Sequence, residues 1–255
     1  LRLRKSGFPA QCPVANAAGE LVTALTDGTP ATLLTWLEGQ TLDKLPMTPD
    51  LAFDLGAMIA RLHAGLRPPA GQAEDIPRYR YDASLLQRMH AELAAAASAG
   101  HLSAEAETCC RAAVDEIGRR MAELGEQADT FGLTHSDLSS GNLLQTGQGL
   151  APIDFSLSGY GYRVMDLGMV LTQYKEAGIQ RQILSGYERE SGKTVPFRYV
   201  GPFYALGILL FVACQHAKCH GEAWYPKALE RWSRTAFEPL VEGRPFVAAD
   251  PRLTA

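Results

Sequence analysis

Cysteine is scarce in this sequence of 255 residues, and the few cysteines present form no recognisable framework. There are five of them, an odd number, scattered from Cys12 to Cys219. Such a set argues against paired disulfides and favours free thiols in a reducing compartment. We therefore expect a cytoplasmic protein.

The sequence also lacks an excess of basic charge. Lys and Arg number 24 against 28 Asp and Glu, and the net charge is −4 at pH 7. No positive field therefore points to nucleic acid or to an anionic membrane surface. No continuous apolar run reaches the ~18–20 residues of a membrane span, and no apolar segment follows the basic start at residues 1–6. We expect neither a nucleic-acid partner nor a membrane partner.

Hydrophobic spacing divides the chain into a small β part and a larger helical part. Residues 19–25 and 32–37 each predict a short strand, and the turn Thr26-Asp27-Gly28 between them predicts a hairpin. Apolar residues at helical spacing begin after Thr48. Helices are predicted over residues 48–63, 83–99, 103–125, 164–177, 180–190, 202–216 and 223–237. A Pro/Gly-rich loop is predicted over 65–81, and short strands over 130–134, 143–144 and 152–155.

The polar loop from His135 to Asn142 is the segment that indicates chemistry. Asp137 and Asn142 lie five residues apart in it, and Asp154 follows twelve residues after Asn142. Phosphoryl transfer needs a carboxylate to orient an acceptor hydroxyl and take its proton. It also needs hard oxygen ligands for the Mg²⁺ ions that bridge the phosphates, which a carboxylate and an amide carbonyl supply.

This segment resembles the catalytic loop of the aminoglycoside-phosphotransferase and choline-kinase family, with its pattern His-x-Asp-x-x-x-x-Asn. The resemblance implies that Asp137 is the catalytic base and that Asn142 and Asp154 bind Mg²⁺. It implies that Asp166, in Arg163-Val164-Met165-Asp166, braces the loop by hydrogen bonds to its backbone. We expect a structural role for His135.

The resemblance extends over nearly the whole chain. Leu33–Leu42 is similar to the family's interlobe hinge, which implies that Thr35, Trp36 and Leu37 contact the adenine of ATP. Leu55–His63 is similar to the following helix, which ends in Leu-His. The implied fold is α+β, a protein-kinase-like two-lobe fold with a partial β N-lobe and a mostly helical C-lobe. Residues 1–38 would be the remnant of the nucleotide-binding lobe and hinge, and residues 39–255 the C-lobe with the catalytic loop and acceptor site.

Two elements of such a kinase are not found ahead of the hinge. No Gly-rich phosphate loop precedes it, and Lys5 is the only lysine before residue 44. The match therefore begins inside the first lobe, and some 60–70 residues of a typical member would lie before Leu1. The alternative is a catalytically inactive pseudokinase or binding module. The intact set of Asp137, Asn142 and Asp154 favours the enzyme.

The acceptor is predicted to be a small molecule that carries a hydroxyl group. The stretch between Asp154 and Asp166 is too short for the activation segment of a protein kinase, and no Ala-Pro-Glu follows it. The family's usual acceptors are aminoglycosides, amino alcohols and homoserine. The helical part from Gln180 onward is expected to form the acceptor pocket. Its candidates for binding a cationic acceptor are Glu188, Glu190, Glu222 and Glu230, although a solvated helix face explains them equally well.

Other conspicuous residues have simpler interpretations. We expect His63 to be a hydrogen-bonded core residue, and Trp36 and Trp224 to be packing residues. Gly159-Tyr160-Gly161 lacks the strand-to-helix context of a phosphate loop and predicts a turn. The remaining group is Cys214, His216, Cys219 and His220. On one helix these four do not converge, so no zinc site is expected.

Overall fold

The computed structural model describes residues 2–5, 7–68 and 76–253. The helices are α1 Arg2–Lys5, α2 Pro49–Gly65, α3 Ala83–Ser98, α4 Ala104–Leu124, α5 Arg163–Leu171, α6 Ala177–Ser191, α7 Phe197–Cys219, α8 Tyr225–Trp232 and α9 Glu238–Val241. The strands are β1 Pro13–Val14, β2 Thr23–Ala24, β3 Pro30–Ala31, β4 Leu33–Leu34, β5 Gln40–Thr41, β6 Tyr79–Tyr81, β7 Phe131–Thr134, β8 Leu143–Thr146, β9 Gly149–Pro152 and β10 Gly159–Tyr162. The predicted α+β class is confirmed.

The N-terminal strands pair differently from the prediction. β2 pairs with β3, whereas β4 pairs with β1 and not with the segment at 19–25. The N–H of Leu25 donates to Thr29 and that of Gly28 to Leu25, so the turn closes tightly and leaves two residues on each arm. Residues 20–30 are all exposed, and these strands remain short because they pack against no hydrophobic core.

Gly159–Gly161 is a strand, so the prediction of a turn is wrong. β10 is the centre of a three-stranded sheet, parallel to β6 on one side and antiparallel to β7 on the other. A Cβ on Gly159 would lie 2.4 Å from the carbonyl oxygen of Tyr79, so only glycine permits this approach. β6 lies within the stretch predicted as a loop, of which residues 69–75 lie outside the described residues.

Three predicted helices in the C-terminal half have different bounds. α5 ends at Leu171 instead of residue 177, and α7 begins before Pro202 and continues through it. The backbones of α5 and α7 are in close contact, because a Cβ on Gly168 of α5 would lie 2.4 Å from the backbone of Phe203 in α7. This packing overrides the local helix propensities from which the bounds were predicted. After α8 the chain forms a π-helical turn at Ser233–Phe237, where one continuous helix was predicted.

The catalytic loop lies on one of two hydrophobic clusters. One cluster joins α3, α4, α7 and α8. The other joins α2, α5 and α6 and includes Leu138 and Leu143, which follow Asp137 and Asn142 in the chain.

Within the described part of the chain, α7 alone has the length and hydropathy of a membrane span. Of its apolar window, 61% is buried inside the protein, as in the core helix of a soluble fold.

Candidate active site

The catalytic loop brings Asp137 and Asn142 into direct contact. The chain leaves β7, forms the loop, and enters β8 through a 3-10 turn at Ser140–Asn142. Nδ2 of Asn142 donates to the Asp137 carboxylate at 2.9 Å and to the Asp137 backbone carbonyl at 3.0 Å. Both amide protons are thereby directed at Asp137, which leaves the Oδ1 atom of Asn142 as the ligand oxygen.

Asp154 is held beside Asn142 by the β8–β9 hairpin. Beyond the last strand pair, the N–H of Ile153 donates to the carbonyl of Asn142 at 2.9 Å. The chain then turns sharply, because Asp154 has a φ of 60°, a left-handed value that is uncommon for a residue other than glycine. Its carboxylate accepts from the N–H of Ser156 at 3.2 Å. The strained backbone turns Asp154 away from the strand direction at the edge of the loop.

Asp166 lies beneath the loop and binds its backbone. It is fully buried in α5, and its two carboxylate oxygens accept from the N–H groups of His135 at 3.0 Å and Ser136 at 2.8 Å. Nε2 of His63 donates to the same carboxylate at 2.9 Å. Burial would raise the pKa of Asp166, but the hydrogen bonds from His63 and His135 outweigh it and the pKa is lowered. The hydrogen bonds expected of Asp166 are therefore present.

His63 connects this carboxylate to the helix pair beneath it. The Nδ1 atom of His63 accepts from the hydroxyl of Tyr187 at 3.0 Å, and the ring is buried. Its backbone carbonyl accepts from Arg163 at 3.1 Å. His63 is thus the hydrogen-bonded core residue that was predicted, but its bond to Asp166, 103 residues away, was not.

His135 is held as a neutral ring at the base of the loop. Its Nε2 donates to the carbonyl of Ile153 at 3.0 Å, and its Nδ1 accepts from the N–H of Asp137 at 3.3 Å. Burial lowers the pKa of His135, and this outweighs the nearby carboxylates. The ring packs 4.6 Å from that of Phe155. His135 therefore ties Asp137 to the segment that carries Asp154, which is a structural contact.

The two acidic residues differ in their affinity for protons. Burial, and then the charge of Asp154, raises the pKa of Asp137 against the opposing effects of His135 and Asn142. Hydrogen bonds from Ser156 lower the pKa of Asp154, which is exposed. A base needs proton affinity and a metal ligand needs a stable charge, so the two environments favour different chemistry.

The donor set fits a magnesium–nucleotide complex. The amide oxygen of Asn142 and the carboxylate of Asp154 are hard oxygen ligands, and Mg²⁺ in such sites takes one or two protein ligands and completes its shell with phosphates and water. Among residues 2–5, 7–68 and 76–253, no three His, Cys, Asp or Glu side chains form a metal-binding group. An all-protein metal cage is therefore not indicated in that part of the chain.

The model of the phosphotransferase enzyme family matches residues 1–198. The chain belongs to this family. No curated protein sequence matches the chain significantly. Among solved structures, amicoumacin kinase hAmiN, in complex with AMP-PNP, Ca²⁺ and Ami, is 20% identical with a TM-score of 0.74, covering 100% of this chain and 78% of that one.

Two further solved structures share the fold. The microcompartment-associated aminopropanol kinase is 21% identical with a TM-score of 0.73, covering 96% of this chain and 80% of that one. The choline kinase of Cryptosporidium parvum Iowa II is 14% identical with a TM-score of 0.62, covering 94% of this chain and 75% of that one. At these identities the likeness shows the fold alone, and the protein-kinase-like architecture is confirmed.

One cavity of this phosphotransferase is lined both by a residue of the predicted hinge and by the predicted metal ligand Asp154. The cavity, about 370 Å³, has Cys12, Leu34, Asp154 and Phe155 among its lining residues. The N–H of Thr35 donates to the carbonyl of Cys12, whereas in the described part of the chain the backbone groups of Trp36 and Leu37 form no hydrogen bond. Of the three predicted adenine contacts, Trp36 and Leu37 therefore have backbone groups that could bind a purine. The N–H of Thr35 is already used, and its carbonyl accepts from the side chain of Gln11 at 3.4 Å.

The prediction that Trp36 is a packing residue is wrong. Trp36 is 80% exposed, so it does not pack. Three of the four glutamates considered for a cationic acceptor have partners within the protein. Glu188 accepts from the backbone of Val195, Glu190 pairs with Arg61, and Glu230 pairs with Arg234.

Proposed function

We propose that this phosphotransferase transfers the γ-phosphate of ATP, as its magnesium complex, to a hydroxyl group of a small molecule such as an aminoglycoside, an amino alcohol or homoserine. The observation that carries the proposal is the arrangement of Asp137, Asn142 and Asp154 around one loop. One carboxylate is hydrogen-bonded and half-buried, and the other is exposed, has a lowered pKa and follows Ile153, whose N–H binds the backbone carbonyl of Asn142.

The division of labour follows from these environments. Asp137, with its raised pKa, orients the acceptor hydroxyl and takes its proton. Asn142 and Asp154 would hold Mg²⁺, which neutralises the phosphate charge that develops during transfer. The cavity leading from Leu34 to Asp154 supports placing the purine at Trp36 and Leu37, with its phosphates directed toward the metal ligands.

The five cysteines support a cytoplasmic location. All are free, and Cys12 and Cys110 are buried. Burial raises the pKa of the Cys110 thiol to about 12, so this thiol is unreactive. Free thiols of this kind are typical of proteins that stay in a reducing compartment.

The proposal is tested by a turnover assay with Mg·ATP and a panel of amino alcohols, aminoglycosides and homoserine. Phosphorylated product from at least one acceptor is the expected result, together with its loss in Asp137→Asn. The matched control is Asp115→Asn, because the Asp115 side chain is 71% exposed on α4 and lies outside the loop. Nucleotide binding without transfer to any acceptor would favour the binding-module alternative.

A further inference from the structure

Gln173, two residues beyond the end of α5, contacts the middle of the catalytic loop. Its Oε1 accepts from the N–H of Ser140, and its Nε2 donates to the carbonyl of Leu138 at 2.8 Å. The residues it binds lie between Asp137 and Asn142. Neither the loop pattern nor any motif in the sequence pointed to this glutamine, because its partners lie 33 and 35 residues away.

One segment of chain thus holds the loop on both sides of the base. Asp166 binds the N–H groups of His135 and Ser136, which precede Asp137, and Gln173 binds the residues that follow it. Asp166 and Gln173 are seven residues apart, or about two helical turns, so they lie on the same side of the segment. The N–H of Gln173 donates to Val170 at 3.1 Å, which continues the helical path past the last residue of α5.

A glutamine suits this position because the loop needs both a donor and an acceptor. Ser140 begins the 3-10 turn that presents Asn142, and the N–H at the start of such a turn has no partner within the turn. The Leu138 carbonyl, next to Asp137, requires a donor. A carboxylate could serve only the first group, and an aliphatic side chain neither.

From this geometry we infer that Gln173 is a positioning residue, which fixes the separation between the carboxylate of Asp137 and the metal-ligand oxygen of Asn142. The inference rests on the proposed function. That separation sets the distance from the acceptor hydroxyl to the phosphate, and a displacement of about 1 Å can lower a rate by on the order of 10²-fold. A residue that only stabilised the fold would not affect the rate in this way.

The experiment compares three variants of the natural protein: Gln173→Leu, Gln173→Glu and Ser103→Ala. The last is the control, because it removes the cap that Ser103 gives to the N–H of Ala106 in α4, away from the loop. Gln173→Leu should lower kcat roughly 10- to 100-fold and change the dissociation constant of Mg·ATP by less than about threefold. Ser103→Ala should leave both at wild-type values.

Gln173→Glu supplies a signature that a purely structural role would not produce. Its carboxylate accepts from Ser140 but repels the Leu138 carbonyl, and protonation restores the donor. The ratio of its kcat to that of Gln173→Leu should therefore rise as the pH falls. Division by the kcat of Gln173→Leu removes the pH dependence that the two variants share.

Hydrogen exchange of the Ser140 amide supplies a readout that does not depend on activity. Exchange should accelerate in Gln173→Leu and not in Ser103→Ala. Unchanged exchange, or faster exchange with the kcat of an active wild type retained, would overturn the positioning role alone. A wild type that transfers phosphate to no acceptor would overturn both the proposed function and the positioning role. Slow exchange of the Ser140 amide in that inactive wild type would show that Gln173 contacts the loop without serving catalysis.

Discussion

At the scale of single residues, a buried carboxylate holds the backbone of the loop. Asp166 is completely buried, yet three N–H donors surround it, one from His63 and two from the loop backbone. These donors replace the water that a charged group loses on burial. The loop conformation, including the φ of 65° at Ser136, therefore depends on this one side chain.

Asp166→Asn should lower the free energy of unfolding by about 3 kcal/mol. An amide has a single acceptor oxygen, so at least one of the three donors loses its partner and faces another N–H group. Urea unfolding followed by circular dichroism measures the change. Asp115→Asn, at an exposed carboxylate paired with His90, should change stability by less than about 1 kcal/mol. Equal losses in the two variants would contradict the role assigned to Asp166.

Substitutions at Asp137 and at Asp154 should differ in their effects on nucleotide binding and on turnover. Asp137→Asn should lower kcat roughly 10²- to 10⁴-fold while the dissociation constant for Mg·ATP stays nearly unchanged, because the base acts on the acceptor. Asp154→Asn should weaken Mg·ATP binding as well, because the phosphate charge is then less neutralised in the bound ground state. Calorimetry and steady-state kinetics decide this. The reverse pattern would exchange the roles.

At the scale of elements, the helix pair beneath the loop is joined by two glycines. A Cβ on Gly56 of α2 would lie 1.8 Å from the carbonyl oxygen of Ile183, and one on Gly186 of α6 would lie 1.9 Å from that of Phe53. The backbones of α2 and α6 are therefore in direct contact where they cross. This contact sets the position of His63, near the end of α2, and through it that of Asp166.

Gly56→Ala and Gly186→Ala should each lower the free energy of unfolding by roughly 3 kcal/mol, because the added methyl group meets backbone that cannot move aside. Gly178→Ala is the matched control on α6, since no atom lies within 4 Å of a Cβ built there. It should be neutral or stabilising by up to about 1 kcal/mol, the difference in helix propensity. Thermal and urea unfolding of the three variants measure this, and a tolerated Gly56→Ala would refute the close crossing.

The elements that were predicted well are those whose signals are local. Thr48 caps α2 and Ser103 caps α4 through their side chains, and both helices begin within a residue of the prediction. The spacing of Asp137 and Asn142 was equally local, because one loop carries both. β10 was missed because its strand character depends on pairing with β6, some 80 residues earlier. Gln173 was missed for the same reason, since no local pattern records a partner so far away.

At the scale of the whole molecule, two buried histidines link stability to pH. His63 and His135 are 2% and 0% exposed, and burial lowers the pKa of each. In the unfolded chain both would titrate near pH 6.5. Below that pH the unfolded state binds protons that the folded state does not, so the unfolded state is favoured. The stability they contribute is full above about pH 6.5 and is lost as the pH falls toward their lowered folded-state pKa values.

Acidification from pH 7.5 to 5.5 should therefore lower the free energy of unfolding, with a slope approaching at most about 1.4 kcal/mol per pH unit for each histidine. His63→Gln keeps a donor for Asp166 and removes one titrating ring, so it should reduce this slope by the contribution of that one histidine. Tyr162→Phe removes the buried hydroxyl that donates to Met121, at a residue whose pKa of about 12 excludes titration in this range. It should lower stability at every pH and leave the slope unchanged. Urea unfolding at closely spaced pH values measures both quantities. A slope that His63→Gln leaves intact would show that the pKa of this ring is the same in the folded and unfolded states, and a steeper slope would show that the ring is protonated in the folded protein, as an ion pair with Asp166.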